Sequence, residues 1–370
     1  MKISLDRELF LSHLQTVARV ASTRSAISAL SGVQLLAESG RCELRATDTD
    51  VSLRVPLPAE VSREGMAVLP ARLLLDVVRS LPAATVGLEV RPAEQDVELV
   101  SGNATFHIRT LHAEDFPPFP EPDPAATVLL SAAAFVETAT RVAGSASRDE
   151  TRPVLTGIHV IAEGSELRMV ATDSYRLSVK ETTLPASLSA GFEVNVPARA
   201  LQELTRIVGR PEGEVELAIS VRQNQVVFRF GDIVLSSRLI DGQFPNDRQL
   251  IPETFEHQVR VAAAELRDVV RRISLLAQKN APLRLAFSPG ELIVSAQTPD
   301  IGEASEALPV PFQGDGFEIG FNPEFLRDGL EAIADGDVLL RLISPLRPGL
   351  LESTDDARFR YLIMPIRLNV

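Results

Sequence analysis

The chain has 370 residues, 45% hydrophobic and 24% charged, with a net charge of −13, which excludes a disordered, collagen-like or disulfide-framework protein and predicts two or three domains with apolar cores. Its single cysteine, Cys42, excludes an internal disulfide and a thiolate zinc site and suits a reducing cytoplasm. Asp6, Arg7 and Glu8 interrupt any leader-like run, and no stretch nears the roughly 18 apolar residues of a membrane span, so a cytoplasmic location without membrane contact is expected.

In chain order, a short strand at 2–5 runs into a helix over 6–20, with Asp6 as N-cap and Leu9, Phe10, Leu14, Val17 and Val20 on one face. Strands follow at 33–37, 43–47 and 51–55, the first two joined by a tight turn at Glu38-Ser-Gly40. A strand at 67–69 then leads to a helix over 70–81, opened by Pro70 at its first helical position. Strands at 86–91, 96–101 and 104–110 complete the first third. Strand-helix-strand-strand-strand is thus written twice. Further helices are predicted at 131–145, 197–208, 262–278 and 322–334. One helix per several strands implies an α+β fold with helices layered on antiparallel sheets.

The pattern repeats. Ala-Thr-Asp ends a strand at Asp48 and again at Asp173, 125 residues later. Pro70, Pro197 and Pro323 open helices at spacings of 127 and 126, and Phe-Pro recurs at Pro117 and Pro245, 128 apart. Three markers at nearly one period predict three similar domains, placed at 1–124, 125–252 and 253–370 by the proline-bearing segments at Pro122-Asp-Pro124 and Pro252.

Charge is unevenly shared. The six predicted helices with their flanks carry +4 in total, leaving −17 on the remainder. Contributors include Arg7, Arg19, Arg24, Arg72, Arg79, Arg141, Arg148, Arg199, Arg206, Arg210, Arg267, Arg271, Arg272 and Lys279. Any one helix would pass as a solvated face with i,i+4 partners. Five of six leaning positive in an acidic protein points to sequence-independent phosphate binding.

Particular motifs carry a resemblance: Val68-Leu-Pro-Ala-Arg72, Thr110-Leu111 before Asp115-Phe-Pro117, Val170-Ala-Thr-Asp-Ser-Tyr-Arg-Leu177, Leu239-Ile-Asp-Gly-Gln-Phe-Pro245, Ile319-Gly-Phe-Asn322, Ser344-Pro-Leu-Arg-Pro348 and Leu362-Ile-Met-Pro-Ile-Arg-Leu368. In these, over its whole length, the chain resembles the beta subunit of bacterial DNA polymerase III, the sliding clamps. The resemblance implies a DNA-clamp fold, a ring-shaped head-to-tail homodimer around double-stranded DNA, and a non-enzymatic processivity role without cofactor or metal. Implied partners are the polymerase III catalytic subunit with its 3'-5' exonuclease complex, the clamp loader, and other polymerases and repair proteins bearing short clamp-binding peptides. Twelve helices spaced about 10 Å apart would enclose a hole of roughly 28 Å, ample for a duplex of about 20 Å.

The resemblance also implies residues. A hydrophobic peptide pocket at the junction of the second and third domains takes Leu155, Thr172, Ser174, Tyr175, Arg176, Leu177, Pro245, Leu250, Leu346, Leu362, Ile363, Met364, Pro365, Ile366 and Arg367. Leu155, Leu177 and Ile366 suit apolar anchors, Met364 can adapt its shape, and Arg176 would supply a directional donor. The plainer reading is that Met364-Pro-Ile is an edge strand packed in its own domain. Gln249, where a basic residue is common in the family, and the extension Asn369-Val370 bear on partner preference. DNA contacts are expected from Arg24, Arg72, Arg79, Arg141, Arg148, Arg152, Arg199, Arg206 and Arg271; Pro153 and Val154 argue against stacking on single-stranded template. The subunit interface maps to Phe106 and Ile108 against Leu275 and Leu276.

Two other function classes compete: an acidic protein-binding scaffold without a DNA role, and a repeat-built enzyme using Asp48, Asp50 and Asp173. Against the enzyme, Thr-Asp after a strand favours an Asx-type turn, and His13, His107, His112, His159 and His257 lack metal-ligand spacing. Phosphate-loop, dinucleotide and nucleophile-elbow motifs are absent from the sequence.

Overall fold

A computed structural model of the chain describes residues 1–22, 25–120, 127–211, 213–277, 281–299, 301–333 and 336–368. They form two compact units, one of residues 1–132 and 206–239, the other of residues 133–205 and 240–370.

The first third supplies β1 (Lys2–Asp6), α1 (Arg7–Val17), β2 (Gly32–Glu38), β3 (Arg41–Thr47), β4 (Val51–Pro56), β5 (Glu60–Arg63), β6 (Gly65–Pro70), α2 (Ala71–Ser80), β7 (Thr85–Arg91), β8 (Asp96–Ser101) and β9 (Ala104–Arg109). The middle third supplies β10 (Thr127–Ser131), α3 (Ala132–Ala143), β11 (Gly157–Glu163), β12 (Glu166–Thr172), β13 (Arg176–Thr183), β14 (Phe192–Pro197), α4 (Ala198–Val208), β15 (Glu216–Arg222), β16 (Gln225–Phe230) and β17 (Ile233–Arg238). The last supplies β18 (His257–Ala262), α5 (Ala263–Ile273), β19 (Leu283–Ser288), β20 (Glu291–Thr298), β21 (Gly302–Pro309), β22 (Phe317–Phe321), α6 (Pro323–Ala332), β23 (Asp337–Leu342), β24 (Gly349–Ser353) and β25 (Phe359–Ile363).

The predicted helices form, with local reasons at their ends. Asp6 caps α1 by accepting the Leu9 amide at 2.8 Å, and Asn322 caps α6 by accepting from Glu324 and Phe325 at 2.9 and 3.2 Å. Two helices are shorter than their periodicity predicts. The first stops at Val17, although Val20 is still buried, and α5 gives way at Ser274 to a 3-10 turn through Leu276. Pro70 also departs from expectation. It is the N-cap, at φ −55° and ψ 115°, because it also closes β6, where it pairs with Gly32. A proline is tolerated there since β6 is an edge strand. Sequence periodicity misses β5, whose Glu-Val-Ser-Arg is mostly exposed and pairs only with β1.

The first unit holds a five-stranded sheet ordered β5-β1-β7-β8-β9 and an eight-stranded sheet ordered β10-β15-β16-β17-β4-β3-β2-β6. The second holds an eight-stranded sheet ordered β14-β11-β12-β13-β25-β24-β23-β18 and a four-stranded sheet ordered β21-β20-β19-β22. The ladders described are antiparallel. Each large sheet joins strands from two repeats: β4 pairs with β17 as Leu53 opposite Leu235, and β13 pairs with β25 as Leu177 opposite Leu362. Pairing across the repeats is what merges three sequence repeats into two compact units.

The Ala-Thr-Asp signature is a turn built twice. The Thr47 hydroxyl donates to the Val51 carbonyl at 3.1 Å and accepts the Thr49 amide, while Asp48 accepts the amides of Asp50 and Val51 at 3.1 and 2.8 Å. In the second copy Thr172 donates to the Arg176 carbonyl at 2.6 Å and accepts the Ser174 amide, and Asp173 accepts from Tyr175 and Arg176 at 2.9 and 3.0 Å. Thr49 and Ser174, at φ +82° and +78°, occupy the left-handed region. The side-chain bonds stabilise a conformation otherwise disfavoured for residues bearing a Cβ.

Candidate functional site

In the second unit, the expected pocket residues divide between a small apolar core and a set of exposed apolar side chains. That core comprises Val170, Leu177, Val179, Phe244, Leu350 and Leu362. Leu177 and Leu362 face each other across the β13–β25 ladder, and Leu350 lies opposite Leu362 on β24. Tyr175, Leu250, Leu346 and Met364 are 60%, 48%, 63% and 41% exposed. Among the described residues of this unit, only Leu275 and Ile301 are further large apolar side chains as open. All four were expected pocket positions.

Local structure explains each exposure. Tyr175 projects from the turn that Ser174 makes possible. Met364 follows the last residue of β25, and its amide donates to the Tyr175 carbonyl at 2.8 Å. Pro365 cannot extend the ladder, and the chain turns to bond Ile366 N to Gly320 O at 2.7 Å. Leu346 sits between β23 and β24, and Leu250 ends a 3-10 turn over Asp247–Gln249. Pro245 and Arg367 are exposed, Pro365 and Ile366 are half-buried, and Leu155 is buried on the 3-10 turn Pro153–Thr156.

Two expected polar contributors are otherwise engaged. Thr172 is buried and its hydroxyl is used within the turn. Arg176 is also buried: Nε donates to Asp173 at 3.0 Å, Nη1 to Asp328 at 2.5 Å, and the guanidinium lies 4.3 Å from the Phe325 ring centroid. Burial works against its charge, but Tyr361, Asp328 and Asp173 outweigh it and raise its pKa. Arg176 is therefore a structural rivet between the turn and α6, not the open directional donor that the sequence suggests. Leu177, likewise, is floor rather than rim, and Ile363 belongs to the main core of the unit.

The first unit carries the same joint with different side chains. Arg238 N donates to Asp50 O at 2.8 Å, one step past the β4–β17 ladder, just as Met364 N does to Tyr175 O. Asp50 and Arg238 are exposed and lie 3.8 Å apart as an ion pair. Geometry is shared, but the first unit places a charged pair at this joint where the second places Tyr175 and Met364.

Of the expected DNA-contacting arginines, Arg72, Arg79, Arg148, Arg152, Arg199, Arg206 and Arg271 are exposed. Arg79 pairs with Asp76 at 3.4 Å and Arg271 with Asp268 at 3.2 Å, both one helical turn away. Arg152 contacts Asp149 at 3.2 Å and the Ser174 hydroxyl at 3.0 Å. Arg141 departs from expectation. It is largely buried, bonded to Glu137 at 2.8 Å and Asp356 at 2.9 Å, so its charge is spent inside the unit. Arg24, Lys279, Asn369 and Val370 lie outside the described residues.

Of the expected interface residues, Leu275 is 82% exposed, and Phe106 and Leu276 are half-buried. Ile108, on β9, is only 3% exposed, so its side chain has little left to offer a partner. Phe106 lies on β9 and so at one edge of its sheet, while β21 forms an edge of the four-stranded sheet.

The carboxylates of the enzyme reading, Asp48 and Asp173, accept backbone amides in the two turns. Among the described residues no three His, Cys, Asp or Glu side chains gather to hold a metal, and no helix is long and apolar enough to cross a membrane.

Comparison with known proteins agrees along the whole chain. Family models described as the N-terminal, central and C-terminal domains of the DNA polymerase III beta subunit match residues 1–120, 129–246 and 248–367. Beta sliding clamps from Synechococcus elongatus and Streptomyces coelicolor are 34% and 32% identical over the full length of both chains. Among solved structures, the Bacillus subtilis sliding clamp matches with a TM-score of 0.91 at 27% identity, covering 100% of both chains. A Pseudomonas aeruginosa sliding clamp bound to griselimycin matches at 0.89 and 30%, again over 100% of both.

Proposed function

The chain belongs to the DNA polymerase III beta-subunit family, the bacterial sliding clamps, and on that footing we propose how its own residues serve the clamp's work. It is a processivity factor and not an enzyme. Two copies close head to tail into a ring around duplex DNA, with three domains per chain at 1–124, 125–252 and 253–370. Exposed Arg72, Arg79, Arg148, Arg152, Arg199, Arg206 and Arg271, with Arg24, meet the phosphates without reading bases. Phe106 packs against Leu275 and Leu276 of the partner subunit. Polymerase, clamp loader and repair proteins dock through short peptides on Tyr175, Leu250, Leu346 and Met364.

The observation that carries this reading is the patch itself. Tyr175, Leu250, Leu346 and Met364 leave large apolar side chains exposed on an acidic unit, surface that is stabilised only when something covers it. Exposed, adaptable apolar side chains of this kind fit short peptide segments with a few anchors. Acidic bulk charge with basic helices suits loose, topological holding of DNA rather than tight binding.

Loading tests the whole. Placed on a nicked circle by a clamp loader, the protein stays bound through a high-salt wash and leaves once the circle is cut. Phosphate contacts alone would weaken steeply with salt on either template. Equal salt-driven loss from circle and linear DNA overturns the proposal.

A further inference from the structure

The segment between β17 and β18 carries two pocket residues, Pro245 and Leu250, yet has little regular structure beyond the 3-10 turn over Asp247–Gln249. Something else must hold it in place. Three side chains attach it to the sheet beneath. Phe244 stacks on His159, centroids 4.9 Å apart with planes at 21°. Phe255 lies under the guanidinium of Arg341, 5.7 Å from the ring centroid. Between them Asp247 meets Arg168 of β12: Nη1 reaches Oδ1 at 3.4 Å, Nη2 bonds Oδ2, and Nε is held by Glu181 at 3.0 Å.

The Arg168–Asp247 pair is buried on both sides. Burying two charges gives little net stability compared with an apolar pair of equal volume. What a two-pronged bond does give is a fixed orientation as well as a fixed distance. That matters here because the segment beyond Asp247 is only partly covered, with Ile251 and Phe255 half-buried against the small core. It borders an open cleft of about 520 Å³ whose lining includes Ile251, Phe255, Arg341 and Leu350. Asp247 lies two residues from Pro245 and three from Leu250, and its carbonyl accepts the Leu250 amide at 3.0 Å.

We propose that Arg168 and Asp247 are positioning residues for the peptide pocket: their ion pair fixes where Pro245 and Leu250 stand, and so sets partner affinity without touching the partner. This rests on the pocket reading above. Pocket walls displaced by about 1 Å lose complementarity at the anchors that dominate a small interface. Affinity therefore follows the integrity of the Arg168–Asp247 bond.

The test uses the full-length protein and a fluorescein-labelled peptide with a glutamine followed by spaced leucine and phenylalanine residues, read by anisotropy. Asp247→Ala and Asp247→Asn are expected to bind at least tenfold more weakly, and Asp247→Glu, which restores the carboxylate, to return within threefold of the parent. Arg168→Lys keeps the charge but loses the fork, and is expected to weaken binding by threefold or more even if the alanine variant folds poorly. Deuterium uptake should rise in residues 244–255 while the remaining peptides and the sedimentation coefficient are unchanged. Met364→Ala separates two failures. If it weakens binding while the Asp247 and Arg168 variants do not, or if glutamate fails to rescue, the positioning role is wrong and the pocket stands. If Met364→Ala also binds normally, the pocket reading falls and this inference falls with it.

Discussion

Tyr175 and Met364 come from different repeats and are joined by one hydrogen bond, Met364 N to Tyr175 O at 2.8 Å, one step beyond the β13–β25 ladder. That bond places two exposed apolar side chains beside each other where the sheet ends.

Met364→Ala should weaken binding of a clamp-binding peptide about tenfold, as loss of one buried anchor costs roughly 1 to 2 kcal/mol. Deleting residues 364–370 is the harsher form, since it also removes the Ile366–Gly320 bridge. Anisotropy with a labelled peptide reads the affinity, and sedimentation confirms that the dimer persists.

The first unit supplies a natural template for a disabled site. Exchanging Tyr175→Asp together with Met364→Arg reproduces the Asp50 and Arg238 pairing on the same backbone joint. Two anchors are lost at once, so affinity should fall on the order of a hundredfold. The fold should be unharmed, because both positions are exposed. Retained binding would mean the rim contributes nothing.

Leu275 is the more open of the two adjacent leucines, so Leu275→Arg introduces a charge that the free subunit can solvate and a closed interface cannot. Monomer stability should change by less than about 0.5 kcal/mol, whereas the dimer, facing a buried unpaired charge, should dissociate. Sedimentation across a concentration series checks it: an unshifted dimer relocates the interface.

Asp356 predicts acid sensitivity. Burial disfavours its charge, but Lys180, at 2.6 Å, and Arg141, at 2.9 Å, hold its carboxyl below the ordinary value. A depressed folded pKa contributes stability above the unfolded value, about 3.9, that is lost as pH falls through the folded one. Asp356→Asn should therefore cost about 1 to 3 kcal/mol at pH 7, and the gap in melting temperature should close as pH drops below about 4. A gap independent of pH would assign the loss to packing.

Much of this was legible in the sequence. Six helices, most strands and the threefold repeat follow from apolar spacing and recurrent prolines, which report local physics directly. Tyr175, Leu250, Leu346 and Met364 were named through the family resemblance, and the structure leaves all four exposed. What stayed hidden depends on partners distant in sequence. Arg141 and Arg176 read as open cations because nothing in their neighbourhoods announces Asp356 or Asp328, 215 and 152 residues away. Ile108 looked available because alternation tells which face a residue takes, not whether that face is already covered within the chain. Asp247 carried no signal at all; only the fold brings it to Arg168.

The joints β4–β17 and β13–β25 have a consequence for engineering. The repeated unit of sequence is not the unit that can stand alone. A middle repeat cut free at residues 125 and 252 would lose the neighbours of both β13 and β17, presenting two raw strand edges that invite pairing with other chains. A transplanted single repeat should aggregate unless both edges are capped.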